Sequence, residues 1–139
     1  MTEIETAGGT RVAIDSDRAI VEARQTGRRI ALRLGFSSGE ATLVATAISE
    51  LARNILQYAG KGEITLRPMD DAGAHGLSVA AVDDGPGIGD IARALEDGYS
   101  TSGRLGLGLP GVRRLMDEFD VESGLGSGTR VRVVKWKRS

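Results

Sequence analysis

Cysteine is absent from this chain of 139 residues, and its absence excludes two kinds of site. Neither a disulfide framework nor a thiolate metal site can form, and a reducing environment is permitted. Long apolar runs are absent too: none approaches the length of a membrane span, and the first residues have neither a basic flank nor an apolar stretch. We therefore expect a soluble, cytoplasmic protein with no membrane partner.

The chain also lacks an excess of charge of either sign. Its 18 lysine and arginine residues nearly balance its 19 aspartate and glutamate residues, so the formal net charge is −1. We expect no nucleic-acid partner, because binding a polyanion through bulk charge requires an excess of positive residues. The length predicts one domain, residues 1–139, that can bury an ordinary core without covalent cross-links.

Glycine, in contrast, is abundant. The 20 glycines are about twice the average share, and they concentrate after position 60. Two of them follow an apolar strand, in the stretch Asp83-Asp-Gly85-Pro-Gly87. Asp83 is the last side chain that the strand can aim into a pocket, and Gly85 and Gly87 lack Cβ atoms, so a flat ligand can lie against the backbone. The alternative interpretation is a plain Asp-Gly hairpin turn.

A strand and a helix are predicted near the N-terminus. Thr10–Ile14 alternates as a short strand does, and Asp15 or Ser16 can then cap a helix that runs to Leu34 and ends at Gly35. This helix has an apolar stripe formed by Ile20, Ala23, Gly27, Ile30, Ala31 and Leu34.

A second helix is predicted from Ser37 to about Ala59, because Ser37 and Glu40 have the spacing of a capping box. Its expected core face comprises Leu43, Ala47, Leu51, Ile55 and Tyr58, or a close variant of this stripe. Glu50 and Asn54 lie four residues apart, so they share one face of the helix. Both side chains can therefore face one pocket.

The rest of the chain is predicted to alternate between strands, a loop and short helices. The first expected element is a hairpin of Glu63–Arg67 and Leu77–Val82, with the only histidine, His75, in its loop. One or two helical turns at Ile91–Glu96 and a lid at Gly98–Gly108 are expected next. A helix at Leu109–Phe119 and two strands around Leu125–Thr129 complete the prediction.

The lid has the form Gly106-x-Gly108-x-x-Gly111, which matches a dinucleotide-binding fingerprint only superficially. No strand precedes the lid, and only residues 112–139 follow it, too few for the rest of such a unit. A phosphate-binding loop with Lys-Ser/Thr is absent, as are the protein-kinase motifs. We expect phosphate to bind to lid amides and to the helix N-terminus at Leu109.

Four motifs in order reveal a family resemblance: Glu50-x-x-x-Asn54, Asp83-x-Gly85-x-Gly87, Gly106-x-Gly108 and Gly126-x-Gly-Thr129. This order resembles the ATP-binding domain shared by gyrase, Hsp90, histidine kinases and MutL. Within that superfamily the chain is similar to the bacterial switch serine/threonine kinases of the RsbT type, over nearly its whole length. The similarity is closest at residues 46–54, 98–103 and 108–119.

The resemblance implies the fold and a set of ATP contacts. The implied fold is a two-layer α/β sandwich of the α+β class, in which helices cover one face of a mixed, largely antiparallel sheet. Asn54 would bind Mg²⁺, Glu50 would be the catalytic base for a serine or threonine hydroxyl, Asp83 would bond the adenine amine, and Thr129 would support that contact. Arg104 would be catalytic by neutralising the transferring phosphoryl group. Further ATP-contacting residues would be Lys61, Gly85, Gly87, Ile88, Gly106, Leu107, Gly108 and Leu109.

The resemblance also implies partners. Because the only histidine is not on a dimerisation helix, the phosphate acceptor must belong to another protein. The implied acceptor is a serine or threonine of a STAS-domain antagonist (RsbS-like), with a stressosome scaffold (RsbR-like) as a second target, and the free kinase would activate a PP2C-type phosphatase (RsbU-like). Two alternatives remain open: a kinase that sequesters a sigma factor directly, as RsbW and SpoIIAB do, and a nucleotide-gated binding module with vestigial kinase activity.

Overall fold

The structure is a computed structural model that describes residues 3–6, 9–85, 108–124 and 128–137. The helix predicted at 91–96 and the lid up to residue 107 lie outside these residues. The described elements are strands β1 (Glu3–Thr6) and β2 (Gly9–Ile14), helices α1 (Asp17–Arg33) and α2 (Ser38–Tyr58), strands β3 (Gly62–Asp71) and β4 (Ala74–Asp83), helix α3 (Gly108–Leu115), and strands β5 (Glu118–Gly124) and β6 (Gly128–Trp136).

The six described strands form one sheet in the order β1-β2-β3-β4-β6-β5. Every neighbouring pair in it is antiparallel, so the described part of the sheet contains no parallel pair. Strand β4 lies between β3 and β6, and its last residue, Asp83, pairs with Gly62 on one side and Thr129 on the other. The C-terminal end of a central strand is thus flanked by two other strand ends.

One face of the sheet is apolar and packs against the helices. Neighbouring strands place Val12, Ile64, Ala81 and Val131 in one row across this face, because the registers pair each residue with the next. All four are buried in the core cluster that also contains the inner residues of α1 and α2. The two-layer α/β sandwich predicted from the sequence is confirmed by this packing.

Both long helices begin where the sequence predicts. The side chain of Ser16 accepts a hydrogen bond from the backbone N–H of Ala19 at 3.3 Å. The capping box of α2 is complete, with Glu40 N–H donating to Ser37 Oγ at 3.0 Å and Ser37 N–H donating to Glu40 Oε1 at 3.2 Å. These bonds satisfy N–H groups that have no partner within the helix.

The predicted core face of α2 is wrong at both ends. Leu43 is 36% exposed and Tyr58 is 42% exposed. The helix instead buries a stripe centred on Val44, Ile48, Leu51 and Ile55. With 3.6 residues per turn, Leu43 and Tyr58 fall on the neighbouring stripe, the one that carries Glu50 and Asn54.

The β3–β4 hairpin is longer than the sequence predicts, and its loop is shorter. Only Ala72 and Gly73 connect the strands, with φ angles of 52° and 88°. Positive φ at both turn positions matches the twist of the flanking strands, so pairing continues up to the turn. His75 therefore lies on β4, not in a loop, and its Nδ1 is 3.4 Å from Asp70 Oδ1.

Helix α3 is shorter than predicted, because it ends at Leu115 and not at Phe119. Phe119 belongs to β5, where it pairs with Val133 and packs against the core. The buried Lys135 of β6 donates from Nζ to the carbonyl oxygen of Leu115 at 3.2 Å. This bond satisfies a carbonyl at the C-terminal end of α3 and favours the helix ending there.

Candidate functional site

Asp83 is held in a defined position at the end of β4. Its Oδ1 accepts a hydrogen bond from the backbone N–H of Gly85 at 2.9 Å, which is a local turn typical of aspartate. The side chain is half-buried, and a carboxylate has further acceptor sites on its second oxygen. The turn thus orients Asp83 while leaving it able to bind a hydrogen-bond donor.

Gly85 brings the Asp83 turn against the C-terminal end of α2. A Cβ at this position would lie 2.6 Å from Ala59 Cβ and 3.1 Å from the carbonyl oxygen of Tyr58. The sequence predicted that the missing Cβ makes room for a flat ligand. In the structure, that side of Gly85 is occupied by α2, so the glycine permits close packing of the turn and the helix.

Glu50 and Asn54 approach this turn along α2. Asn54 lies one helical turn before Tyr58 and Glu50 lies two turns before it, roughly 6 and 12 Å along the axis. Both are half-buried. The stripe that carries them runs toward the C-terminal end of α2, where Tyr58 and Ala59 lie against Gly85 of the Asp83 turn.

Arg53 is a member of this site that the sequence reasoning missed. Its Nη1 donates to Glu50 Oε1 at 2.7 Å, and the Glu50 side chain is only 12% exposed. The i, i+3 spacing of opposite charges on a helix was the available signal. An ion pair of this kind fixes the direction in which the Glu50 carboxylate points.

Thr129 and Ser123 continue the row that begins at Asp83. Asp83 pairs with Thr129, and Thr129 pairs with Ser123, so the three side chains share one face of the sheet. Ser123 Oγ lies 2.8 Å from Thr129 Oγ1. These residues border an open cleft of about 400 Å³ that is also lined by Val82, Asp84, Glu122, Gly128 and Arg130. Ser123 was also missed, because its position opposite Thr129 depends on strand register.

Gly128 lets β6 approach β4 closely beside Asp83. Its φ is 81°, in the left-handed region, and a Cβ there would collide with the carbonyl oxygen of Asp83. The glycine that precedes Thr129 in the predicted motif is therefore required by the backbone.

The other predicted site residues are distributed around this centre. Lys61 is exposed between α2 and β3. Gly108 opens α3 with a φ of 62°, and the side chain of Leu109 is buried in the core. The predicted contacts at Gly87, Ile88, Arg104, Gly106 and Leu107 lie outside the described residues.

The described residues contain no group of three or more histidine, cysteine, aspartate or glutamate residues that could hold a metal ion. A cation at Asn54 would thus need ligands from water and from a bound substrate, which is how Mg²⁺ is commonly held beside phosphates. No helix in the described ranges is both long and apolar enough to span a membrane.

Comparison with known proteins assigns the chain to a family. Residues 39–139 match the family model of the histidine kinase-, DNA gyrase B- and HSP90-like ATPases. Over 127 residues the chain is 54% identical to serine/threonine-protein kinase RsbT of Bacillus subtilis (strain 168). The matched region covers 91% of this chain and 96% of that protein. The chain belongs to the RsbT-type kinases of this ATPase family. The resemblance stated from the motifs is confirmed.

More distant relatives are consistent with this assignment. The RsbT-type chain is 33% identical over 101 residues to the anti-sigma F factor of Caldanaerobacter subterraneus subsp. tengcongensis, covering 67% of this chain and 68% of that protein. The catalytic domain of histidine kinase ThkA superposes with a TM-score of 0.53 at 15% identity, over 91% of this chain and 95% of that domain. The ThkA match confirms the fold class.

Proposed function

We propose that this RsbT-type serine/threonine kinase transfers the γ-phosphoryl group of ATP to a partner protein in a cytoplasmic partner-switching pathway, and that residues 1–139 act as one domain. The observation that best supports the site is the junction of two parts: the Glu50–Asn54 stripe runs toward the end of α2 that lies against the turn that orients Asp83. A nucleotide at this junction would have its base near Asp83 and its phosphates near α2.

The residues fit the base of ATP. Asp83 and Thr129 offer acceptor oxygens from adjacent strands to the same cleft, and the adenine amine offers N–H donors. The cleft volume of about 400 Å³ lies within the range of small-molecule sites. Asp83 would bond the amine, and Thr129 would support that contact directly or through a water molecule.

The phosphate end of the site depends on α2 and α3. Asn54 would hold Mg²⁺ through its amide oxygen, a suitable ligand for a hard cation, and the cation would supply positive charge beside the phosphates. The backbone of Gly108 and Leu109 at the start of α3 would donate N–H groups to phosphate oxygens. We also assign contacts with ATP to Lys61, Gly85, Gly87, Ile88, Gly106 and Leu107, and neutralisation of the transferring group to Arg104.

Glu50 would act as the catalytic base. The acceptor hydroxyl oxygen would form a bond to the γ-phosphorus while its proton passes to the Glu50 carboxylate. The bond from the γ-phosphorus to the β–γ bridging oxygen would break, and ADP would leave with that oxygen. Arg53 would keep Glu50 directed at the acceptor through their 2.7 Å contact.

The proposed partners are a STAS-domain antagonist (RsbS-like) as the phosphate acceptor, a stressosome scaffold (RsbR-like) as a second substrate, and a PP2C-type phosphatase (RsbU-like) that the free kinase activates. The identity of 54% with RsbT over most of both chains supports this set. The RsbT-type chain carries its one histidine on a strand of the ATP-binding sheet, so we expect the acceptor to lie on another protein.

A second function is supported by the similarity to anti-sigma F factors, in which the chain would bind a sigma factor directly. The two functions can be separated with purified proteins. The chain is incubated with labelled ATP, Mg²⁺ and either the STAS protein or the sigma factors of the same organism. Label on the STAS protein without a stable sigma complex supports the switch kinase, whereas a stable sigma complex supports the anti-sigma factor. Nucleotide-dependent binding of the STAS protein without transfer would support a binding module.

A further inference from the structure

Ser123, Thr129 and Asp83 form a row of polar side chains on the neighbouring strands β5, β6 and β4. Thr129 is the central member, since it is the register partner of both others. All three line the cleft in which the base of ATP is proposed to bind. The hydrogen-bonding character of Thr129 therefore matters for which base the cleft accepts.

Two contacts of the Ser123 hydroxyl bear on where the hydroxyl protons of this row lie. Ser123 Oγ lies 3.0 Å from the carbonyl oxygen of Gly128 and 2.8 Å from Thr129 Oγ1. A carbonyl oxygen only accepts hydrogen bonds, so the single proton of the Ser123 hydroxyl is donated to Gly128. With that assignment, the short contact between the two hydroxyls uses the other proton, which Thr129 donates to Ser123.

Donation to Ser123 leaves Thr129 with lone pairs to offer to the cleft. Asp83 beside it offers carboxylate oxygens, which accept as well. The cleft therefore presents neighbouring acceptors from β4 and β6. A 6-amino purine has N–H groups that can donate to such acceptors, whereas a 6-keto purine has an oxygen at that position, which the acceptors repel.

We propose that Ser123 is a specificity-determining positioning residue: by taking the proton of Thr129, it makes the site prefer 6-amino over 6-keto purine nucleotides. Ser123 acts through Thr129 and needs no contact with the nucleotide. The proposal rests on the proposed function, because it requires ATP to bind beside Asp83.

The substitution Ser123→Ala tests this role, because it frees the Thr129 proton to turn toward the ligand. The probes are ATP and inosine triphosphate, which carries a 6-keto group, and the measurement is isothermal titration calorimetry on the whole chain. We expect the wild type to bind ATP more tightly. In Ser123→Ala, the affinity for ATP should stay within about threefold of the wild-type value. The ratio of the ATP affinity to the inosine triphosphate affinity should fall roughly three- to tenfold, the range of one neutral hydrogen bond.

Two further substitutions at position 123 separate the effect of the hydroxyl group from the effect of side-chain shape. Threonine and valine have nearly the same volume and differ in one hydroxyl, so Ser123→Thr should keep the wild-type ratio and Ser123→Val should lower it as Ser123→Ala does. Thermal melting followed by circular dichroism verifies that each variant is folded. Any cost of fitting a branched side chain into β5 is common to both variants.

The outcomes distinguish the role of Ser123 from the ATP site itself. If the affinity ratio is unchanged in both Ser123→Ala and Ser123→Val, Ser123 does not set specificity, although the ATP site stands. Equal losses of affinity for both nucleotides also overturn the proposal, since a purely structural role has that effect. If the wild type binds neither nucleotide, or both equally well, the proposed ATP site fails and the role of Ser123 fails with it.

Discussion

Asp83 combines a structural bond with the proposed contact to adenine. Its Oδ1 accepts from Gly85 N–H at 2.9 Å, so one oxygen holds the turn while the carboxylate retains acceptor capacity for the ligand. An asparagine can reproduce the bond to Gly85 with its amide oxygen. Its NH₂ group would then occupy the place of the second oxygen and face the N–H groups of adenine.

We therefore predict that Asp83→Asn folds normally and loses ATP affinity. The loss of a charge-assisted hydrogen bond is worth about 1.5–3 kcal/mol, or roughly ten- to hundredfold in affinity. Calorimetric titration with ATP measures it. The control is Asp71→Asn, which makes the same charge change at the far end of the hairpin, where Asp71 pairs with Ala74. Wild-type affinity in a folded Asp83→Asn would remove Asp83 from the site.

Arg53 gives a second prediction, concerning the orientation of Glu50. Arg53→Met keeps much of the side-chain length but removes the group that lies 2.7 Å from Glu50 Oε1. We expect ATP to bind within a few-fold of wild type and the transfer rate constant to fall roughly ten- to hundredfold, because small misplacements of a reacting group are costly.

The conservative variant Arg53→Lys should restore part of the transfer rate, since lysine keeps the charge but not the planar fork. Steady-state kinetics with a fixed acceptor protein separate kcat from KM. A fall in kcat that Arg53→Lys does not relieve at all would argue for a different role of Arg53. An unchanged kcat in Arg53→Met would show that α2 positions Glu50 without it.

Among the elements, the contact between α2 and the Asp83 turn links the two halves of the site. Gly85 makes this contact possible, because a Cβ would lie 2.6 Å from Ala59 Cβ and 2.9 Å from Ala59 Cα. Backbone at Ala59 cannot move away without disturbing the last turn of α2. Asp83 is two residues from Gly85 and bonded to it, so a displaced turn also displaces the carboxylate.

Gly85→Ala should therefore lower both the free energy of unfolding, by about 1–3 kcal/mol, and the affinity for ATP. Urea unfolding and calorimetry measure the two effects. Adding Ala59→Gly removes the closest clash and should recover part of both. The control Gly39→Ala meets only Ser37 Oγ at 4.0 Å and should not destabilise. If Gly85→Ala leaves stability and affinity unchanged, the close contact is not required.

The same elements show what the sequence could predict. The helix starts at Ser16 and Ser37 were predictable, because caps depend on neighbours within one turn. The shared face of Glu50 and Asn54 followed from helical spacing alone. Periodicity wrongly predicts Leu43 and Tyr58 as core residues, because it defines a stripe on a helix but does not show which side of that stripe faces the core.

Non-local pairing explains the other differences. Ser123 lies opposite Thr129 only because of the β5–β6 register. Phe119 belongs to β5 because it pairs with Val133 of β6 and packs against the core. The short Ala72-Gly73 turn depends on a register that continues along the whole hairpin. None of these could be obtained from spacing within one segment.

At the scale of the whole molecule, the sandwich holds the proposed adenine contacts and the proposed catalytic base on different layers. Asp83 and Thr129 belong to the sheet, and Glu50 and Asn54 belong to the helical layer. Binding of adenine and transfer of the phosphoryl group should therefore be separable by substitution. A nucleotide-gated binding module would need only the residues that bind ATP and Mg²⁺, whereas a kinase needs Glu50 as well.

Glu50→Gln tests this central distinction most directly, since the change is nearly isosteric and removes the basic carboxylate. The measurement pairs calorimetric ATP binding with the rate at which label from ATP reaches the STAS-domain partner. We predict binding of Mg-ATP within a few-fold of wild type and transfer slower by about 10²–10⁴-fold, with tenfold as the smallest loss consistent with a base. Transfer at the wild-type rate by Glu50→Gln would contradict the assignment of Glu50 as the catalytic base.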